Sequence, residues 1–368
     1  MTTQRLNRLL SLLQSNGLDA LVLNPGQTMT YLSGLNLHIM ERPSVLIISA
    51  NGISALVLAE LEKIKLTTTT IPVQGFTYGD NPATWSAAFK QAFEYLRLDH
   101  AKIGVEPTHL RVLELRFLEE AAPQASFVSA EAAVTELRIQ KEPEEIAIMR
   151  KAVEIAQDAF KATVPMIRVG VSEREIGSEL NIQLLRHGSD AEFPFAPIVA
   201  GGPNSANPHA FLSERKLIPG DLLVIDWGAS YKGYVSDLTR TLAIGKVDPE
   251  FEKIASIVLE ANTAGRNTSR PGIPAGQVDQ AAREVISKAG YGPQFTHRVG
   301  HGIGMEGHEP PYIFGENQLI LKPGMCHTIE PGIYLAGRGG VRIEDDMVVT
   351  ETGAESLSNL PRELLHIA

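Results

Sequence analysis

The chain has 368 residues, a formal net charge of −10, and 43% hydrophobic against 21% charged residues. That length exceeds one hydrophobic core and predicts two domains, and the acidic balance argues against nucleic acid, which needs clustered Lys and Arg. No apolar run approaches the roughly 18 residues of a membrane span. The N-terminus carries no secretory pattern, and the single cysteine, Cys326, excludes an internal disulfide or a cysteine zinc cluster, so the expected compartment is the cytoplasm.

Leu6, Leu9, Leu10, Leu12 and Leu13 follow helical spacing, with Gly17 as the stop. Asp19 to Leu23 reads as a strand and Asn24-Pro25-Gly26 as a turn. Ser44–Ser49 and Ser54–Leu58 flank Asn51-Gly52 and predict a hairpin. A helix follows over Trp85–Leu96, a strand over Lys102–Val105, and a helix capped by Thr108 running to about Glu120. This alternation predicts a self-contained α/β domain over residues 1–135, with no catalytic constellation inside it.

A second domain, 136–368, opens with Lys141-Glu142-Pro143-Glu144-Glu145, where proline and acids suit the first turn of a long helix. Ser172 and Glu175 form a capping box for a helix to about Leu185. Strands are expected at Leu222–Asp226 and Leu238–Ala243, and helices at Pro249–Asn262 and Ala275–Ala289. The Gly- and Pro-rich remainder reads as strands joined by turns.

Chemistry concentrates between Asp226 and Glu344. Asp226 ends the apolar run Leu222-Leu223-Val224-Ile225, where an acid is costly unless paired or metal-bound. A turn at Tyr231-Lys232-Gly233 would bring Asp237 back beside it, and Glu330 and Glu344 repeat the arrangement across a Gly-rich turn. With His301, these four carboxylates match two divalent cations, and oxygen-dominated ligation favours Mn(II) or Co(II), with zinc as a further option. A lone Asp-x-Gly or Glu-Pro-Gly is ordinarily a turn, so the signal lies in the combination and its flanks. Gly302-Ile303-Gly304-Met305-Glu306-Gly307 matches a dinucleotide fingerprint by letter, but no apolar strand precedes it.

Asp226-Trp227-Gly228, Ser236-Asp237-Leu238-Thr239-Arg240-Thr241, Gly300-His301-Gly302-Ile303-Gly304, His308-Glu309, Thr328-Ile329-Glu330-Pro331-Gly332 and Arg342-Ile343-Glu344-Asp345 resemble the motifs of the M24 metallopeptidases. Within them the chain is similar to the Xaa-Pro dipeptidase (prolidase) and Xaa-Pro aminopeptidase branch, over nearly its whole length. The resemblance implies a mixed α/β fold: a creatinase-like N-terminal domain, then a "pita-bread" catalytic domain with pseudo-two-fold symmetry. It also implies a homodimer acting on small peptides with proline in second position.

Carried over by motif, Asp226 and Asp237 would hold one metal, Asp237 and Glu344 would bridge, and His301 and Glu330 would complete the second. Glu330 would be the general base, His308 the donor to the developing oxyanion, and His209 a positioning group. His297 and Arg342 would face the substrate; Arg342, sharing a strand face with Glu344, would orient that ligand or meet a substrate carboxylate. His327, close to Glu330, receives no role. The segment Tyr31 to Pro43, with His38 and Arg42, is expected to reach a neighbouring active site. The alternatives are an aminopeptidase acting on longer peptides, a binding module that has lost catalysis, and metal-free creatinase-like hydrolysis; the intact ligand set argues against the last two.

Overall fold

The structure, a computed structural model, describes residues 2–367. Two compact units divide the chain, Met1–Arg138 and Ile139–Ala368. The first runs α1 (Thr2–Ser15), β1 (Ala20–Leu23), α2 (Gln27–Ser33), β2 (Val45–Ser49), β3 (Ser54–Ala59), β4 (Gln74–Tyr78), α3 (Trp85–Leu96), β5 (Lys102–Val105), α4 (Val112–Ala121), β6 (Ser126–Ser129) and α5 (Glu131–Arg138). Its sheet has the order β4-β3-β2-β1-β5-β6. The hairpin expected around Asn51-Gly52 is β2–β3, with Ile48 opposite Ser54. Phe89 and Phe93 of α3 share one buried cluster with Val22, Ile47 and Val57, and each such buried side chain contributes about 1.5–3 kcal/mol.

One local expectation fails in this unit, and one element goes beyond the sequence reading. Thr108 caps no helix. The Glu106 carbonyl accepts from the His109 and Leu110 amides in a separate turn, and α4 starts only after Arg111. The Arg111 guanidinium grips Glu114 in the first turn and donates to the Met40 carbonyl, which fixes that start. The short α2 was not anticipated, because Asn24-Pro25-Gly26 reads as punctuation rather than as an entry to a helix.

The second unit begins with α6 (Pro143–Thr163) and α7 (Glu173–Arg186). The predicted capping box is present: the Glu175 amide donates to Ser172 Oγ, and the Ser172 amide to Glu175 Oε2. Next come β7 (Ile198–Gly201), β8 (Leu222–Trp227), β9 (Ser230–Tyr231), β10 (Tyr234–Val235) and β11 (Leu238–Ile244). A second helix pair follows, α8 (Pro249–Thr268) and α9 (Gly276–Lys288), α8 reaching past its expected end at Asn262. The remainder is β12 (Gly300–Gly302), β13 (Glu309–Ile313), β14 (Cys326–Ile329), β15 (Gly332–Leu335), β16 (Gly339–Arg342), β17 (Asp345–Val349), β18 (Ala354–Ser356) and β19 (Leu365–Ile367).

These elements fall into two similar halves. Each is a helix pair followed by a long antiparallel hairpin whose tip forms a separate small ribbon. In the first half β8 pairs with β11, and β9–β10 is the ribbon; in the second β14 pairs with β17, and β15–β16 is the ribbon. The first tip turns at Lys232 and Gly233, whose φ values of 50° and 78° suit a primed hairpin turn. The main hairpins belong to two sheets, β19-β11-β8-β7 and β13-β12-β14-β17-β18.

Candidate metal centre

Each hairpin is pinched where sheet gives way to ribbon, and the acids sit at the pinches. Asp226 lies near the end of β8 and Asp237 just before β11; Glu330 follows β14 and Glu344 precedes β17. The halves are stitched together here. The Glu344 amide donates to the Thr239 carbonyl at 3.1 Å, and Thr239 Oγ1 donates to Glu344 Oε2 at 2.7 Å. His301 projects from β12, its amide donating to Thr328 Oγ1 at 3.1 Å. Gly300 permits that approach, since a Cβ there would lie 2.0 Å from the Thr328 carbonyl oxygen.

Donor atoms therefore converge in overlapping trios: Asp226, Asp237 and Glu344; His301, Glu330 and Glu344; Asp237, His301 and His308. Within each trio they lie within 4.8 Å of one another. His301 Nε2 stands 3.5 Å from Glu330 Oε1 and 3.7 Å from Asp237 Oδ2.

Three observations fit this cluster to cations. First, Asp226 Oδ1 and Asp237 Oδ1 are buried without a hydrogen-bond partner among the described residues, an arrangement that is costly unless something else satisfies them. Second, without cations the carboxylates resist ionisation. Burial, then the charges of Glu344 and Asp226, hold Asp237 well above the usual range. Burial, then Glu330 and Asp226, do the same to Glu344. Glu330 is raised to about 8, mainly by burial, with Arg342 opposing. Third, His301 Nδ1 is 3.1 Å from the Gly302 carbonyl, to which it donates, and burial lowers its pKa to about 3. The ring is neutral, and its Nε2 lone pair faces the acids as a ligand's should.

A cleft of about 1090 Å³ opens onto the cluster, and all of Asp226, Asp237, His301, Glu330 and Glu344 line it. His209, His297, His308 and Arg342 line it too, so every site residue named from the sequence borders one space. The His308 ring lies against that of His301, tilted by 39° with ring centroids 3.8 Å apart. Burial and then the Arg298 charge lower its pKa. His297 Nε2 accepts from the Tyr334 hydroxyl at 2.9 Å while its Nδ1 donates to the Arg298 carbonyl.

Arg342 is buried, and it meets Asp226 rather than Glu344. Its Nη2 donates to Asp226 Oδ2 at 2.7 Å, Nη1 to the Tyr334 hydroxyl at 3.0 Å and Nε to Thr239 Oγ1 at 3.1 Å. His327 lies fully buried against Ser269, with Nε2 3.1 Å from its hydroxyl. The sequence reading missed Thr239, Tyr334 and Asp346, whose Oδ2 accepts from the Asp237 amide at 3.0 Å. Thr239 shares a strand face with Asp237 and was findable by alternation. Tyr334 carried no such signal.

Known proteins share this fold. The pattern of Metallopeptidase family M24 matches residues 147–351, and that of the Creatinase/Prolidase N-terminal domain matches residues 5–140. An Xaa-Pro dipeptidase of Pyrococcus horikoshii is 34% identical over 367 residues, 98% of this chain and 99% of that one. The crystal structure of a prolidase from Thermococcus sibiricus superposes with a TM-score of 0.94 at 35% identity, covering 100% of this chain and 99% of that one. An X-Pro aminopeptidase from Thermotoga maritima gives 0.86 at 32%, covering 98% and 99%. The two halves of the second unit are the repeats of a pita-bread fold, and the likeness extends along the whole chain. The chain thus belongs to metallopeptidase family M24, with a creatinase/prolidase-type domain ahead of its catalytic unit.

Proposed function

We propose that the chain is a dinuclear-metal exopeptidase hydrolysing Xaa-Pro bonds, as an Xaa-Pro dipeptidase. The observation that carries this is one cleft holding four acids, two with unpartnered buried oxygens, and a neutral imidazole. It stands in a chain alike over its full length to an Xaa-Pro dipeptidase. Asp226, Asp237, His301, Glu330 and Glu344 would hold the ions. The oxygen-rich set favours Mn(II) or Co(II), with zinc a further option. When bound, such ions polarise the scissile carbonyl and acidify water at neutral pH.

The chain's own groups then act in order. Glu330 takes the proton of the attacking water and returns it to the leaving proline nitrogen as the C–N bond breaks. His308 donates to the carbonyl oxygen as negative charge develops there. His209, on the cleft wall, positions the peptide, and His297, held by Tyr334, lines the proline side. An Xaa-Pro bond is a tertiary amide, so the cleft needs no acceptor for a substrate N–H.

A cytoplasmic homodimer completes the proposal. A lone buried cysteine supports the compartment, and the likeness to the dipeptidase branch supports the dimer. No helix among the described residues is long and apolar enough to cross a membrane. The likeness to the Thermotoga maritima X-Pro aminopeptidase favours a second reading, cleavage after the first residue of longer peptides. Hydrolysis of Ala-Pro and Ala-Pro-Ala by chelator-stripped protein, with and without Mn(II) or Co(II), separates the two. Metal-dependent cleavage confined to Ala-Pro is expected. A preference for the tripeptide moves the assignment to the aminopeptidase, and cleavage of neither with metal bound rejects both.

A further inference from the structure

We propose that Glu173 is a positioning residue: from the start of α7 it fixes the loop that presents His209 to the cleft. This rests on the reading of His209 as a group that positions the peptide. The loop leaves the end of β7 at Gly201 and carries His209 and Phe211 along the cleft wall. It returns to α7 at Ser213, whose carbonyl accepts from the Arg174 amide at 3.0 Å. At its middle His209 is exposed and Phe211 is 90% exposed, and the His209 amide is held locally, donating to Asn207 Oδ1 at 3.1 Å. A stretch exposed in this way takes its place from its ends.

One carboxylate holds both ends. Glu173 is fully buried in the first turn of α7. Its Oε1 accepts from the Gly201 amide at 2.7 Å and from Asn204 Nδ2 at 2.9 Å; its Oε2 accepts from Asn204 Nδ2 at 3.2 Å and from Ser213 Oγ at 2.5 Å. Asn204 and Ser213 stand nine positions apart, on either side of His209. A carboxylate accepts at both oxygens, so a single side chain closes the loop at its base and limits the conformations left to its middle. The same face of the helix braces the far end. Gly177, four residues after Glu173, lies against Leu212, and a Cβ there would fall 2.7 Å from Leu212 Cδ2. Glu173 is not on the cleft wall and makes no hydrogen bond to a candidate metal ligand among the described residues, so its effect on the reaction passes through the loop.

The test removes the clamp with Glu173→Ala and restores it in part with Glu173→Gln, in wild-type and His209→Ala backgrounds of the metal-loaded enzyme. In Glu173→Ala, kcat/KM for Ala-Pro is expected to fall roughly tenfold to a hundredfold, the range for a displaced positioning group. Glu173→Gln should recover most of the loss, since its carbonyl can accept from Gly201 and Asn204 while its amide donates to Ser213. In the His209→Ala background, Glu173→Ala should cost less than about twofold, because two residues acting through one contact are not additive. A second readout needs no activity. In histidine-labelled, metal-free protein the His209 ring signal, identified by its loss in His209→Ala, should shift in Glu173→Ala. The signal of His327, fully buried elsewhere in the same unit, should stay in place and show that the variant is folded. Ser213→Ala, which opens the clamp at one end, should move the His209 signal by less.

Equal losses from Glu173→Ala with and without His209 would mean that the carboxylate acts elsewhere, and would overturn the inference. A His209 signal unmoved in both Glu173→Ala and Ser213→Ala overturns it as well. If Glu173→Ala does not fold, Ser213→Ala decides the question by the same two readouts. Wild type that cleaves neither Ala-Pro nor Ala-Pro-Ala rejects the peptidase reading, and the ring signal then decides by itself whether Glu173 positions His209.

Discussion

Lys141 Nζ meets Glu309 Oε1 at 2.6 Å, with side chains 2% and 6% exposed. Glu309 is the residue that follows His308 in the chain. A Cβ on Gly304 would fall 2.6 Å from Glu309 Oε1 and 2.8 Å from the Lys141 ε carbon, so the loop from His301 to His308 is packed onto the ion pair. Removing one partner of such a pair leaves an uncompensated buried charge and costs about 3–5 kcal/mol, whereas replacing both by apolar groups is often neutral. Lys141→Met is therefore expected to lower the melting temperature by roughly 6–20 °C. Lys141→Met with Glu309→Leu should recover most of that loss. A single variant that melts like wild type would show that the pair holds nothing in place.

Asn262, fully buried on α8, ties that helix to the hairpin carrying Glu330 and Glu344. Its Nδ2 donates to the Ile329 carbonyl at 3.1 Å and the Ile343 carbonyl at 3.3 Å, and Arg266 Nε donates to its Oδ1. Each carbonyl belongs to the residue just before a candidate ligand, so one amide sets the spacing of both glutamates. Asn262→Ala should weaken Mn(II) binding by roughly tenfold or more, as outer partners of metal ligands do. Calorimetric titration of the stripped variant measures this, and wild-type affinity would exclude the role.

Asn262 also marks how far the sequence could be read. Motifs with local spacing, such as Asp226 to Asp237 or Gly300 to Gly304, announced the candidate ligands and the hairpins bearing them. Ser172 with Glu175 announced a helix start, because both partners lie within one turn. Asn262 and Tyr334 act on groups distant in the chain or carry no periodic signal, so nothing near them showed their part. Arg342 had the right neighbourhood and the wrong partner: strand alternation put it beside Glu344, while pairing between the halves delivered it to Asp226.

At the scale of the molecule, protons and cations compete for one buried cluster. Glu330 has a pKa of about 8 in the metal-free fold against an ordinary 4.5, and Asp237 and Glu344 are raised as well. A raised carboxyl pKa means that the native state holds protons the unfolded chain releases. Its contribution is fully present below about pH 4.5 and is lost as pH rises toward 8. On the proposed assignment divalent ions would bind the ionised form and replace that loss. The rise in melting temperature on adding Mn(II) is therefore expected to be small at pH 5 and to grow steadily to pH 8. A rise that does not change with pH would mean that the ion binds elsewhere.

The bond between Thr239 and Glu344 spans 105 positions. On the proposed assignment neither pair of acids is a complete site, so the chain must first close a long loop and bear its entropy without help from the ion. What the ion contributes comes after the halves have met. Its stabilisation is then felt as slower opening of the finished protein, not as faster folding of the chain.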